Sequence, residues 1–154
     1  MRHPFLAALL CLAAACSASR PQTIVDKHLG TTTHSSATHR AGGSSDYQIH
    51  VRALAVEAAT MRNCTLLTYV TRSDLNFPKI ETVRSFGRKL PYERIDRQRA
   101  GTLRAEAGRI KMTCDQFARL SEVGLTFRMY GPRGTYDAVV AGRIFAEAAL
   151  SLSP

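Results

Sequence analysis

From Tyr47 onward apolar and polar side chains alternate along the chain: Tyr47, Ile49, Val51 and Ala53 fall on one side, and Gln48, His50 and Arg52 on the other. A period of two predicts a strand with one buried face, and the apolar run continues through Leu54 to Val56. TLLTYVTR, residues 65–72, is rich in β-branched side chains and predicts a second strand. The short connection from Met61 to Cys64 makes the two antiparallel neighbours.

The spacing changes after Asn76-Phe77-Pro78. Ile80, Val83, Phe86, Gly87 and Leu90 recur at intervals of three and four, which predicts a helix that starts near Pro78 and stops at Pro91. Arg84 and Arg88 would then sit one turn apart beside the apolar stripe. From Glu93 the chain reads as an exposed basic connection leading into a strand over 102–113. Asp115 is the expected N-cap of a short helix carrying Phe117, Leu120 and Val123, which Gly124 closes. In LTFRMYGPRGTYDAVVAG, Leu125, Phe127 and Met129 alternate, Gly131-Pro132-Arg133-Gly134 turns, and Tyr136, Ala138 and Val140 return, so a hairpin is predicted. The tail from Arg143 to Leu150 predicts a last helix. The sum is an α+β domain over residues 46–154, with about five mainly antiparallel strands and two or three short helices. An all-β sandwich is the alternative.

Residues 16–45 show no such pattern. Ser, Thr and Gly dominate, with Ile24, Val25 and Leu29 as a small apolar break, and such a composition predicts a flexible tether. His28, His34 and His39 lie in it without a cysteine or carboxylate at ligand spacing, so no metal site is expected.

The first residues follow an export pattern. Arg2 and His3 precede FLAALLCLAAA, an apolar run too short to span a bilayer as a helix, so residues 1–15 are predicted to be a cleaved signal peptide. Leu12-Ala13-Ala14-Ala15 ahead of Cys16 resembles a bacterial lipoprotein signal, with small residues where that family has them. Ala13 departs from the family, which has leucine three places before the cysteine. The resemblance implies a lipid attached to Cys16 as the new N-terminus, and Ser17 behind it implies an outer-membrane location, periplasmic or surface-facing. The other reading is an ordinary cut after Ala15 or Ala18, with Cys16 incidental. No later run is long enough to cross a membrane.

An exported chain meets an oxidising compartment, so Cys64 and Cys114 are expected to form a disulfide. Asn63-Cys64-Thr65 matches a glycosylation sequon, a chance match beside a leader of bacterial type.

Charge adds the chemistry. The chain carries 21 Lys and Arg against 12 Asp and Glu, for a net charge of +9. Only Lys27, Lys79, Lys89 and Lys111 are lysines; the arginines present planar forks suited to carboxylate or phosphate. Two-thirds of the net charge falls between Lys79 and Lys111. Within that segment Arg84, Arg88, Arg94, Arg97, Arg99 and Arg104 are the candidate anion-binding residues, with Phe86 and Tyr92 interleaved for stacking. Lipopolysaccharide or capsule is the expected anionic polymer, ahead of nucleic acid, because an exported domain meets it first.

Catalytic signatures are missing from the sequence. The predicted domain holds a single histidine, His50, on the polar face of a strand, and Glu57, Asp74, Glu106, Asp115 and Asp137 are scattered. No phosphate-binding glycine loop, HExxH or GxSxG occurs. The expectation is a non-enzymatic cell-envelope lipoprotein without cofactor or metal. It would dock to a protein partner in a surface-assembly, adhesion or secretion system, or bind an anionic envelope polymer.

Overall fold

The computed structural model describes residues 20–149, which form eleven strands and two helices. In chain order these are β1 (Gln22–Asp26), β2 (Thr31–Ser35), β3 (His39–Gly43), β4 (Tyr47–Ala58), β5 (Met61–Arg72), β6 (Thr82–Ser85), β7 (Arg88–Leu90), β8 (Tyr92–Ala100), β9 (Leu103–Met112), α1 (Cys114–Val123), β10 (Leu125–Gly131), β11 (Gly134–Val140) and α2 (Gly142–Ala149). Strands hold 61% of these residues and helices 14%. The α+β expectation is therefore overturned, and the fold stands closer to the all-β alternative.

A seven-stranded antiparallel sheet has the order β1-β2-β4-β5-β9-β8, and β3 also pairs with β4. β2 and β3 share one edge of β4, β2 facing Leu54 to Ala58 and β3 facing Gln48 to Val51. The second sheet has the order β11-β10-β6-β7. The two sheets meet where β3 passes β11. A Cβ on Gly42 would lie 2.1 Å from the Asp137 carbonyl oxygen, so only glycine allows the backbones this close. Beside that contact Tyr47 packs edge-on against Tyr136, with ring centroids 5.0 Å apart.

The strands read from alternation are present. Ile49, Val51, Ala53 and Ala55 of β4 are buried, and their partners across the ladder, Val70, Thr68, Leu66 and Cys64 of β5, are buried with them. Cys64 joins Cys114 in the expected disulfide, Cα to Cα 5.2 Å, which fastens the start of α1 to β5. The N-cap of α1 is Thr113 and not Asp115, which lies in the first turn. The Thr113 hydroxyl accepts from Gln116 N–H while the Gln116 side chain accepts from Thr113 N–H. Gly124 closes this helix as expected. Phe117 of α1 meets Phe145 of α2 edge-on at 5.2 Å, and both rings are buried.

Three local expectations are corrected. Residues 22–43, expected within a flexible tether, form β1, β2 and β3. Their low hydrophobicity is offset by the edge of β4, which supplies ladder hydrogen bonds, and Ala37 and Ala41 are small enough to be buried there. The helix predicted after Pro78 is the hairpin β6–β7, in which Val83 faces Leu90 and the chain turns at Phe86-Gly87. The basic connection after Glu93 is strand β8, paired along β9.

Candidate functional site

Four of the six candidate arginines are brought onto one face by β8 and β9. Residues directly opposite on an antiparallel pair share a face. Arg94 stands opposite Gly108, Arg97 opposite Glu106, and Arg99 opposite Arg104. Strict alternation from Arg94 would have aimed Asp96 and Gln98 this way instead. The register shifts between Arg94 and Asp96, and the extra residue there moves Arg97 and Arg99 onto the face of Arg94.

Phe77, from the connection between β5 and β6, lies over this face. The guanidinium carbons of Arg97, Arg99 and Arg104 stand 5.8, 5.6 and 6.0 Å from its ring centroid. Beneath them Glu106 is 1% exposed. Its Oε2 accepts from Arg97 Nε and its Oε1 from the Ile80 backbone N–H, both at 2.8 Å. Arg104 donates to the carbonyls of Gly101 and Leu103, within its own hairpin. Among the described residues no carboxylate pairs with Arg94, Arg99 or Arg104, so three cations of this face are free to meet an anion. Tyr92 lies across Gly108 on the same face. Burial, and next the Glu106 carboxylate, push its phenol up, so it stays a neutral hydroxyl.

Arg84 and Arg88 sit elsewhere, on the β6–β7 hairpin of the second sheet, opposite Lys89 and Ser85 respectively. Arg84 donates to the Gly87 carbonyl at 3.2 Å. Behind this hairpin opens a groove of about 780 Å³. Leu90, Met112, Leu120 and Leu125 give it an apolar floor, and Arg88, Lys89, Lys111 and Arg119 contribute cations to its lining. Lys111 shares Glu93 with Arg109, at 2.7 and 2.9 Å. Those two cations hold the Glu93 carboxyl below the usual carboxylate range. Phe86, at the hairpin tip, is 92% exposed.

The groove joins residues that no spacing rule connects. Lys111 lies near the end of β9 and Arg119 on α1, and only the turn at Thr113 brings the two to one opening. Phe77 and Glu106 likewise share no sequence pattern that pairs them. A signal for Glu106 exists in its position, since a carboxylate alternating into an apolar strand face needs a buried cation or N–H partner.

The remaining candidates are dispersed. His34 is buried beside Thr23 and stands 3.7 Å from Glu57, His39 bonds Glu147 at 3.2 Å, and His28 is exposed. Among the described residues no group of three or more His, Cys, Asp or Glu is placed to hold a metal ion. His50 is half-buried on β4, and burial followed by the Arg40 charge lowers its pKa. No described helix is long and apolar enough to cross a membrane. Cys16, with the predicted signal peptide, lies outside the described residues. Comparison of the chain with protein-family models, with curated proteins and with solved structures finds no match.

Proposed function

We propose that the protein is a non-catalytic cell-envelope component, lipid-anchored through Cys16, that binds an anionic envelope polymer on the arginine face of β8 and β9. The observation that carries this reading is the convergence of Arg97, Arg99 and Arg104 on the Phe77 ring, with Arg94 on the same face. Arg97 is neutralised by Glu106 and serves to hold the platform. Arg99 and Arg104 keep their charge for a ligand, and the planar guanidinium matches phosphate and carboxylate alike. Lipopolysaccharide phosphates and capsular uronates are the anions an exported domain meets.

Retention on immobilised heparin, or on lipopolysaccharide, tests it. The parent is expected to elute at higher salt than the variant Arg94→Glu, Arg99→Glu, Arg104→Glu. Equal elution of the two, with the variant folded by circular dichroism, rejects the site.

A second reading, docking to a protein partner of a surface-assembly, adhesion or secretion system, is favoured by the groove behind β6–β7. An apolar floor with a cationic lining suits an acidic amphipathic segment. Cross-linking from the hairpin in intact cells is expected to give one adduct of defined mass, abolished by Leu120→Glu. A ladder of unrelated adducts, unchanged by that substitution, rejects docking at the groove.

A further inference from the structure

The β6–β7 hairpin closes through Phe86 and Gly87, both at positive φ, 45° and 81°. In a two-residue turn of this kind asparagine, aspartate or glycine takes the first place, because a bulky side chain is strained at positive φ. Phenylalanine stands there, and its ring is 92% exposed. The turn would form more easily with asparagine, and so little of the ring is covered that core packing gives no reason for it either. Strain held at an exposed aromatic is a feature that the fold by itself does not require.

The surroundings of the ring say what it suits. Arg84 precedes it, and Arg88 and Lys89 follow it. Among the described residues none of the three pairs with a carboxylate. An exposed apolar ring at the turn of an edge hairpin, flanked along the chain by cations, has the chemistry of an interfacial anchor. The ring can leave water while the guanidinium and ammonium groups stay at the level of lipid phosphates.

We propose that the tip of the β6–β7 hairpin inserts Phe86 into an anionic lipid bilayer, with Arg84, Arg88 and Lys89 at the headgroups. A water-soluble polyanion would engage the same cations and leave the ring in water, so the apolar apex is what selects a membrane. One aromatic with three cations gives reversible association, of the strength that supplements a tether and does not replace one.

The chain contains no tryptophan, so Phe86→Trp places a single reporter at the tip. The experiment uses the chain from residue 16 onward carrying Cys16→Ser, so that neither the apolar leader nor an acyl group contributes to binding. Vesicles of phosphatidylglycerol and phosphatidylcholine are expected to shift the emission of this lone indole to shorter wavelength and to allow quenching by brominated acyl chains. Pure phosphatidylcholine vesicles and soluble polyphosphate are expected to do neither.

In co-sedimentation with the anionic vesicles, Phe86→Ser should lower the partition coefficient about tenfold. Arg88→Gln and Lys89→Gln should lower it about fivefold each. All three side chains are exposed, so the fold is expected to survive, which circular dichroism checks. Unchanged emission with anionic vesicles overturns the proposal, as does Phe86→Ser sedimenting like its parent. Loss of vesicle binding on charge reversal at Arg99 and Arg104, with Phe86→Ser unaffected, would move the membrane contact to the arginine face and also overturn it. The heparin retention lost in Arg94→Glu, Arg99→Glu, Arg104→Glu reads the arginine face separately, so either site can fail alone.

Discussion

The backbone N–H of Ile80 donates to Oε1 of Glu106 at 2.8 Å, tying the connection after β5 to the middle of β9. The other carboxylate oxygen takes Arg97, which lies under the Phe77 ring. One buried carboxylate therefore fixes both the loop that carries Phe77 and one of the arginines around it. Arg97 is about one-third exposed and can turn to water when its partner is lost, whereas Glu106 cannot. Glu106→Leu is expected to cost about 2 kcal/mol, below the range for fully buried pairs. Arg97→Met should cost more, since it leaves a carboxylate buried without its counter-ion. Urea denaturation of both variants checks the order, and a larger loss for Glu106→Leu would contradict this account of the pair.

The Cys64–Cys114 bridge closes a loop with a sequence separation of 50 residues. In the chain-entropy account its removal by Cys64→Ala with Cys114→Ala should lower unfolding free energy by about 4 kcal/mol. Disulfide reduction of the parent should reproduce most of that loss. α1 is expected to feel it most, because Cys114 opens the helix and Phe117 buries its ring against Phe145. Hydrogen exchange should show the amides of Phe117 to Leu120 losing protection before those of β4 and β5. Uniform loss across the chain would show that the bridge does not act locally on α1.

What the sequence made legible depends on whether the deciding contact is local. β4, β5 and the 125–140 hairpin could be read because alternation and turn glycines lie within each element. The β6–β7 hairpin could not. Val83 and Leu90 are seven residues apart, a spacing that shares a helix face and equally forms a rung across a two-residue loop. The β-branched Thr82-Val83 pair and Gly87 suit the hairpin, while the apolar period points to a helix. Residues 22–43 carry too little apolar surface to reveal strands, and their order comes from β4, which follows them in sequence. For the candidate site, arginine enrichment marks the segment that becomes β6 to β9. Which arginines share a face turned on a one-residue irregularity after Arg94, and Phe77 reaches them from a loop that has no pattern of its own.

Gly108 offers a test of how tightly the arginine face is packed. A Cβ there would lie 2.2 Å from the Tyr92 hydroxyl oxygen and 2.4 Å from two ring carbons, so the ring occupies the space that a side chain would need. An aromatic covering a strand glycine from a neighbouring strand restores the packing that the glycine lacks. Gly108→Ala is expected to cost about 1–3 kcal/mol by overpacking. Combining it with Tyr92→Ser should cost less than the sum of the two single changes, because the clash disappears with the ring. Strictly additive thermal shifts would place the Tyr92 ring elsewhere.

The last test is set by pH. His50 lies opposite Arg40 of β3 and Tyr69 of β5, and burial first, then the Arg40 charge, lower its pKa from the ordinary 6.5. The folded chain thus favours the neutral ring, while the unfolded chain takes up a proton as pH falls through about 6.5. The stabilisation is full above that pH and is lost as pH drops toward the lowered folded value. Asp74 and Asp137, held below the carboxylate range by Arg72 and Arg128, act in the same direction only below about pH 4. Acidification should therefore lower the melting temperature in two separate stages. His50→Gln is expected to flatten the first stage, between pH 7 and 5, and to leave the second intact. Melting curves for parent and variant at half-unit steps give the comparison, and parallel profiles down to pH 5 would show that His50 titrates alike in both states.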